Sequence, residues 1–387
     1  MNPTLCPPPP NGFPNVLIKA APEDFIVEEL PLYEPSGLGT HTYLWIEKRS
    51  LNTLDAVRRI ASILGKRAAD AGIGGLKDAR SISRQWISFE HVSPESVAKI
   101  STLAESNLRV LKIGLHGNKL KMGHLRGNRF IIRLRLAPQT ADAPMNSVAE
   151  HPGQNRSAGF QPAQAVAARA NEVLNTLQQK SIPNYFGPQR FGRDGNNATL
   201  GKMLVQGDTA GFAKAYAEGH GSARPAGRQL CNLLVNAFQS ELFNRILALR
   251  MPQIGQLQAG DLAYLHRNGA VFSVPSDDDA RREQTRADAF EISPSGPLFG
   301  EKTLLASERP GELERNVLQD SGVTLKDFGR REAERQPGAR RAMRIFFLER
   351  PSVEEDAHGV VLRFALPTGS YASVVLREIV GDGSSVD

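Results

Sequence analysis

Residues Lys121–Pro138 read KMGHLRGNRFIIRLRLAP, and on them turns whether this chain builds a sheet. Side chains two apart along an extended backbone share a face. Asn128, Phe130, Ile132, Leu134 and Leu136 therefore fall on one side, which is mostly apolar. Arg129, Ile131, Arg133 and Arg135 fall on the other, which is strongly basic. The stretch predicts a strand with one face for a core and one for water or a polyanion.

Upstream, Leu17–Leu30 (LIKAAPEDFIVEEL) predicts a strand following a turn at Pro22, and His41–Arg49 (HTYLWIEKR) predicts another, rich in aromatic and β-branched residues. Asn52-Thr53 is placed to cap a helix, LDAVRRIASILG, in which Leu54, Val57, Ile60, Ala61 and Leu64 keep helical spacing and Gly65 ends the run. Downstream, residues 138–163 are Pro, Ala, Ser, Gly and Asn without periodicity, which predicts a surface loop or linker. A helix follows over AQAVAARANEVLNTLQQK, then a loop over SIPNYFGPQRFGRDGNN. Arg228–Arg250 predicts the longest helix, with Leu230, Leu234, Val235, Phe238, Leu242, Ile246 and Leu249 as its core stripe. The terminal GVVLRFALPTGSYASVVLREIV predicts a strand.

A chain of 387 residues is long enough for two domains, and 40% hydrophobic with 23% charged residues is ordinary for a soluble protein. The 47 Lys+Arg against 41 Asp+Glu give a net charge of +6, a modest hint of a polyanionic partner such as nucleic acid. Two distant cysteines, Cys6 and Cys231, make no disulfide framework and fit a reducing compartment. MNPTLCPPPPNGFPN lacks the layout of a secretory signal, and no apolar run approaches the ~20 residues that cross a bilayer. A cytoplasmic protein with no membrane partner is expected. Pro7–Pro10 reads as a stiff, solvated tail.

Several motifs fail on mechanism. GNNATLGKM (Gly195–Met203) has one residue too many for a phosphate loop and puts Met203 where a hydroxyl should bind magnesium. GIGG at Gly72 lacks the third glycine and the ribose-binding acid of a dinucleotide site. The eight histidines are scattered, two cysteines build no zinc site without them, and no G-x-S-x-G elbow occurs. No metal, nucleotide cofactor or serine hydrolysis is indicated.

Five unusual stretches remain: APEDFIVEE, GLKDARSISRQW, GHLRGNRF, NYFGPQRFG and LPTGSYASVVLREI. Within GGLKDARSISRQW (Gly74–Trp86), Asp78 is the single carboxylate, next to Lys77. Locally it reads either as half of a solvated turn pair or as the seat of a nucleophile. Phe25 and Phe130 read as core residues as readily as stacking surfaces, and Asn128 after Gly127 reads as a turn residue. Taken together and in order, the five stretches resemble the TruD family of tRNA pseudouridine synthases, from Lys19 to Arg377; RRAM (Arg340–Met343) and QSELFN fit as well.

The resemblance implies an α+β fold: a mixed, mainly antiparallel sheet with flanking helices, plus an inserted α/β TRUD domain. It places the catalytic domain at 1–180 and 348–387 and the insert at 181–347. It implies isomerisation of uridine 13 of tRNA by one essential aspartate without cofactor or metal, in a monomer. The family's Lys-Asp pair falls on Lys77-Asp78, which makes Asp78 the catalytic candidate. Breaking N1–C1′ leaves an electron-deficient sugar carbon that calls for a carboxylate beside it. Whether the acid meets C1′ or C6, or takes a proton, stays open at this level. A base covering that carboxylate calls for a cation nearby, and Lys77, adjacent in an extended segment, is not assigned to that role. An enzyme acting on a base must extrude and hold it. The family's positions for this match Phe25, Asn128 and Tyr371, and Phe130 shares the face of Asn128. Asn128 offers both a donor and an acceptor to a uracil edge. NYFGPQRFG is expected either to shape a cleft or contact RNA, or to form a tight loop on Phe186 and Phe191. Arg133, Arg135, Arg190 and Arg193 are candidates for phosphate contact or plain surface residues. The chain departs from the family at SISRQ, where Ala-Val-Thr is usual, at Tyr371, where many members carry Phe, and at 138–163, which looks long.

Overall fold

The structure, a computed structural model, describes residues 2–105, 107–137, 162–220, 227–251 and 253–382. Most of the expected loop or linker at 138–163 lies outside them. The chain falls into two compact units, one of Pro8–Asn175, Phe347–Gly369 and Ile379–Asp387, the other of Met1–Pro7, Thr176–Phe346 and Ser370–Glu378. The fold is α+β with a mixed, mostly antiparallel sheet. No helix among the described residues is long and apolar enough to cross a membrane.

The first unit carries the large sheet. In chain order its elements are β1 (Val16–Ile18), β2 (Phe25–Pro31), β3 (His41–Arg49), α1 (Thr53–Ile63), β4 (Gly72–Ile73), β5 (Ile82–Glu90), α2 (Pro94–Ser101), β6 (Ala104–Glu105), β7 (Leu108–His116) and β8 (Leu125–Leu136). The helix α3 (Pro162–Lys180) follows. Two later strands join the same sheet: Gly359–Pro367 pairs with β8, and Glu349–Asp356 pairs with Gly359–Pro367. Only β2 and β5 run parallel; every other pairing in this sheet of the described residues is antiparallel. The expected strand at 121–138 is β8, shortened at its start because Lys121–His124 form a turn. Its apolar side is the inner one: Phe130, Ile132 and Leu134 are buried. Asn128 is within the strand, paired with Glu29 and Leu366, and is not a turn residue. Gly127 precedes it because a Cβ there would meet the Leu366 carbonyl oxygen at 2.1 Å.

The predicted cap at α1 is present: the Asn52 side chain accepts from the Asp55 amide. Val57, Ile60 and Ala61 of α1, with Ile100 of α2, pack on Leu44, Ile46, Ile87 and Phe89 of β3 and β5. Burying such a set supplies the main stabilisation, at roughly 25 cal/mol per Å² of apolar surface.

The opposite face carries an alternating charge ladder. Arg109 of β7 meets Glu47 of β3, Glu47 meets Arg84 of β5, Arg84 meets Glu28 of β2, Glu28 meets Arg129 of β8, and Arg129 meets Glu349. Arg133 and Arg135 also have acidic partners: both reach the buried Asp24, and Arg133 pairs with Asp356. The basic side of β8 is thus compensated within the fold.

The second unit contains a four-stranded antiparallel sheet of Leu262–Leu265, Val271–Ser273, Ile292–Leu298 and Ala339–Ala342, packed with the 23-residue helix Arg228–Arg250. Leu234, Val235, Phe238, Leu242 and Ile246 of the expected stripe are buried, but Leu249 is 58% exposed. Two buried ion pairs brace this unit, Arg250–Asp261 at 2.7 Å and Arg340–Glu314 at 2.8 Å.

The chain end corrects the sequence reading. Gly359–Pro367 is a strand, but Ala372–Val380 is a helix. Its valines suggested extended chain, while Ala372, Val375, Leu376 and Ile379, all buried, keep three- and four-residue spacing. Burial of that stripe outweighs the β-branched preference.

Candidate active site

Asp78 stands on the loop between β4 and β5, and the backbone of that loop is tied down residue by residue. The Gly74 carbonyl accepts from the Gly123 amide at 2.8 Å, and the Gly75 carbonyl from Gln85 Nε2 at 3.1 Å. The Lys77 amide donates to Thr53 Oγ1 at 2.9 Å, and Thr53 in turn donates to Gln85 Oε1 at 2.9 Å. The Asp78 carbonyl accepts from Lys48 Nζ at 2.7 Å and from Ser81 Oγ at 3.1 Å. Thr53 opens α1, Lys48 is the penultimate residue of β3, and Ser81, Ser83 and Gln85 are the buried polar residues entering β5. That explains the run of hydroxyl and amide groups after Asp78: they hold a loop that has little secondary structure of its own.

The carboxylate itself points outward, with the Asp78 side chain 62% exposed. Lys77 turns the other way into the protein, pairing with buried Glu29 at 3.0 Å. Burial raises the Glu29 carboxyl above the usual carboxylate range, with Lys77 pulling against it. The cation beside Asp78 is Lys19, whose Nζ lies 3.6 Å from Oδ2. The same ammonium sits 4.3 Å from the centre of the Phe25 ring, within cation–π range. A cavity of about 280 Å³ opens alongside, lined by Lys19, Ala20, Ala21, Pro22, Ser50, Ala79 and Arg80.

Phe25 and Phe130 are buried and meet edge to face at 6.2 Å, and Phe130 continues to Phe364 at 5.6 Å. Asn128 lies on the same face as Phe130 and is the strand partner of Glu29. Its Oδ1 is buried without a hydrogen-bond donor. A buried acceptor left open costs free energy unless something fills it. Asp78, Phe25, Phe130 and Asn128 thus all belong to the first unit, with Glu29 and Lys77 linking the strand to the loop that carries Asp78.

Tyr371 belongs to the second unit. Its ring packs edge to face on Phe186 at 5.9 Å. Phe186 also carries the Arg341 guanidinium 4.1 Å from its ring centre. Burial pushes the Arg341 guanidinium down to about 10, with Tyr371 opposing that shift and Arg190 reinforcing it. Three of the quoted motifs are stitched together here. Asn184 of NYFGPQRFG donates to the Ala342 carbonyl at 2.8 Å, Asn244 of QSELFN accepts from the Phe186 amide at 2.9 Å, and Arg190 donates to Ser240 at 3.0 Å. Arg193 is exposed.

Comparison with known proteins places these features. A family model described as tRNA pseudouridine synthase D (TruD) matches residues 14–226 and 220–379. The chain belongs to the TruD family. It is 36% identical to the tRNA pseudouridine synthase D of Geobacter sulfurreducens, over 94% of this chain and 93% of that protein. It is 38% identical to the one from Anaeromyxobacter dehalogenans strain 2CP-C, over 94% and 92%. A crystal structure from Methanosarcina mazei, described as a TruD protein, superposes with a TM-score of 0.73 at 21% identity, covering 98% of this chain and 95% of that one; it shares the TruD fold. Sequence reasoning missed Lys19 and Lys48 in this TruD chain. For Lys48 a signal was present: in HTYLWIEKR it occupies the inward phase shared by Leu44 and Ile46, an unusual place for a lysine.

Proposed function

We propose that this TruD-family protein isomerises uridine 13 of tRNA to pseudouridine, with Asp78 as its catalytic carboxylate. The broader statement, a tRNA pseudouridine synthase, rests on family membership across nearly the whole chain. The observation that supports Asp78 as the catalytic carboxylate is its exposed side chain on a loop tied down along its backbone, with the Lys19 ammonium at 3.6 Å; position 13 is proposed from the family resemblance. No cofactor is invoked: the reaction exchanges one glycosidic bond for another within the same nucleotide. N1–C1′ breaks, the base turns, C5–C1′ forms, the C5 proton leaves to water and N1 takes one up. Asp78 supports the electron-deficient sugar or base during the exchange, and Lys19 keeps its charge in place once a base covers the site.

Asn128 is proposed to read the base, its open Oδ1 meeting the uracil N3–H. Phe25 and Phe130 provide the aromatic surface behind the base, with Lys19 leaving the Phe25 ring as the base arrives. Tyr371 is proposed to stack on RNA from its own unit. Residues 1–180 with 348–387 form the catalytic domain and 181–347 the insert, in a monomer working in the cytoplasm.

Incubation with unmodified tRNA followed by carbodiimide-blocked primer extension tests the reading. A new stop assigning pseudouridine to position 13 is expected. Free uracil without pseudouridine would replace it with a base-releasing glycosidase, and bound but unaltered tRNA would replace it with a non-catalytic RNA-binding role.

A further inference from the structure

Lys48, the penultimate residue of β3, is fully buried. Its ammonium donates to the carbonyl oxygens of Leu51 and Asp78, each at 2.7 Å, and lies 3.3 Å from the Lys77 carbonyl and 3.4 Å from Ser83 Oγ. These partners are backbone dipoles and one hydroxyl, not carboxylate oxygens. A buried charge is a weak means of gaining stability, since an apolar group of similar size often serves as well. What this one does geometrically is specific. It gathers the chain after β3 and the two carbonyls flanking the Asp78 Cα into one coordination shell.

We infer that Lys48 is a positioning residue for catalysis: its ammonium fixes the backbone at Lys77 and Asp78 and so aims the Asp78 carboxylate. This rests on Asp78 being the catalytic acid. Three N–H bonds serve three carbonyl oxygens. A neutral amine has two and a lone pair, so one of the three carbonyls loses its bond to Lys48 and the lone pair faces oxygen. Burial pushes the Lys48 ammonium down to about 8, with Asp78 opposing and Lys77 adding to the shift. Those are the charged side chains that act on it; Ser83 of β5 contributes a hydroxyl, and Leu108, the strand partner of Lys48 on β7, is apolar. The aim of the carboxylate is therefore lost within the range where an enzyme can still be assayed.

The fold responds in the opposite sense. Lys48 holds its proton less tightly in the fold than in the unfolded chain. Between about pH 8 and the usual lysine range the unfolded chain binds more protons, and rising pH favours the fold through this group.

Single-turnover rates on a tRNA transcript, measured from pH 6.5 to 9.5 beside melting temperatures, test the inference. The wild-type rate is expected to fall with an inflection near pH 8 while the melting temperature does not fall with it. Lys48→Met and the shorter neutral donor Lys48→Gln are expected to be slower by roughly 10–100-fold, the cost of a displaced reacting group. They should lack the inflection and bind tRNA within about threefold of wild type. A folded variant with the wild-type rate, or one that keeps the inflection, overturns it. If neither variant folds, a wild-type profile without the inflection overturns it. Asp78→Asn, assayed alongside, separates the two readings. Activity in that variant defeats the catalytic role of Asp78, whereas an inactive Asp78→Asn beside an unaltered Lys48→Gln defeats only the role of Lys48.

Discussion

Lys19 reaches Asp78 from the end of β1, and the two side chains come from segments with no local relationship. That is why a single carboxylate in GGLKDARSISRQW was legible as a candidate while its cation was not. Lys77, adjacent in sequence, was not assigned to that role, and the structure turns it inward to Glu29. The Lys19 pair is solvent-exposed on the aspartate side and therefore screened in the free protein. Its effect should grow when a base excludes water. Lys19→Met is expected to lower the single-turnover rate about tenfold or more, equivalent to 1.4 kcal/mol or more of barrier, while tRNA affinity changes less than about threefold. Stopped single-turnover reactions with saturating enzyme measure this, and a Lys19→Met rate equal to wild type would contradict it.

At the scale of elements, strands with a clean two-residue alternation and helices with a clear cap were readable: β3, α1, β8 and the 228–250 helix lie where their patterns put them. The C-terminal segment was misread because valine favours extended chain locally, and only the packing of Ala372, Val375, Leu376 and Ile379 reveals the helix. The basic face of β8 shows the same gap between pattern and context. Its arginines were visible, but their partners come from β2, from Asp24 just before it and from the strand at 349–356. This ladder has a pH signature. Burial alone would raise the Asp24 carboxyl, but Arg135, the Ala21 amide and Arg133 outweigh it and hold it below its usual value. Glu47 is held down in the same way by Arg84 and Arg109, and Glu349 and Asp356 chiefly by Arg129 and Arg133. Carboxyls with lowered folded-state values stabilise the fold above the ordinary carboxyl range of about 4 and lose that contribution as pH falls through their lower values. Urea midpoints are expected to fall steeply below about pH 4. Midpoints unchanged from pH 5 to 2.5 would show that the ladder contributes nothing.

For the whole molecule, the sequence offered a net charge of +6 and a modest hint of a polyanion. With part of the arginine charge neutralised within the sheet, binding must rely on the remaining cations. Their engagement with phosphate still releases counterions. Affinity for tRNA is expected to drop about tenfold or more between 50 and 200 mM salt in filter binding, and an affinity indifferent to salt would argue against an RNA substrate. Chain length allowed two domains, and the structure divides the quoted motifs between two units. Asp78, Phe25, Asn128 and Phe130 lie in one, and NYFGPQRFG, RRAM and Tyr371 in the other. Composition could not show that the terminal helix segment Ser370–Glu378 counts with the internal unit, because that grouping depends on packing distant in sequence. The most direct measurement compares wild type with Asp78→Asn, scoring pseudouridine formed in a tRNA transcript against tRNA affinity in the same preparation. Affinity within about threefold of wild type with turnover lowered by at least about a thousandfold is the predicted result, and pseudouridine formed by Asp78→Asn at a rate near wild type would contradict it.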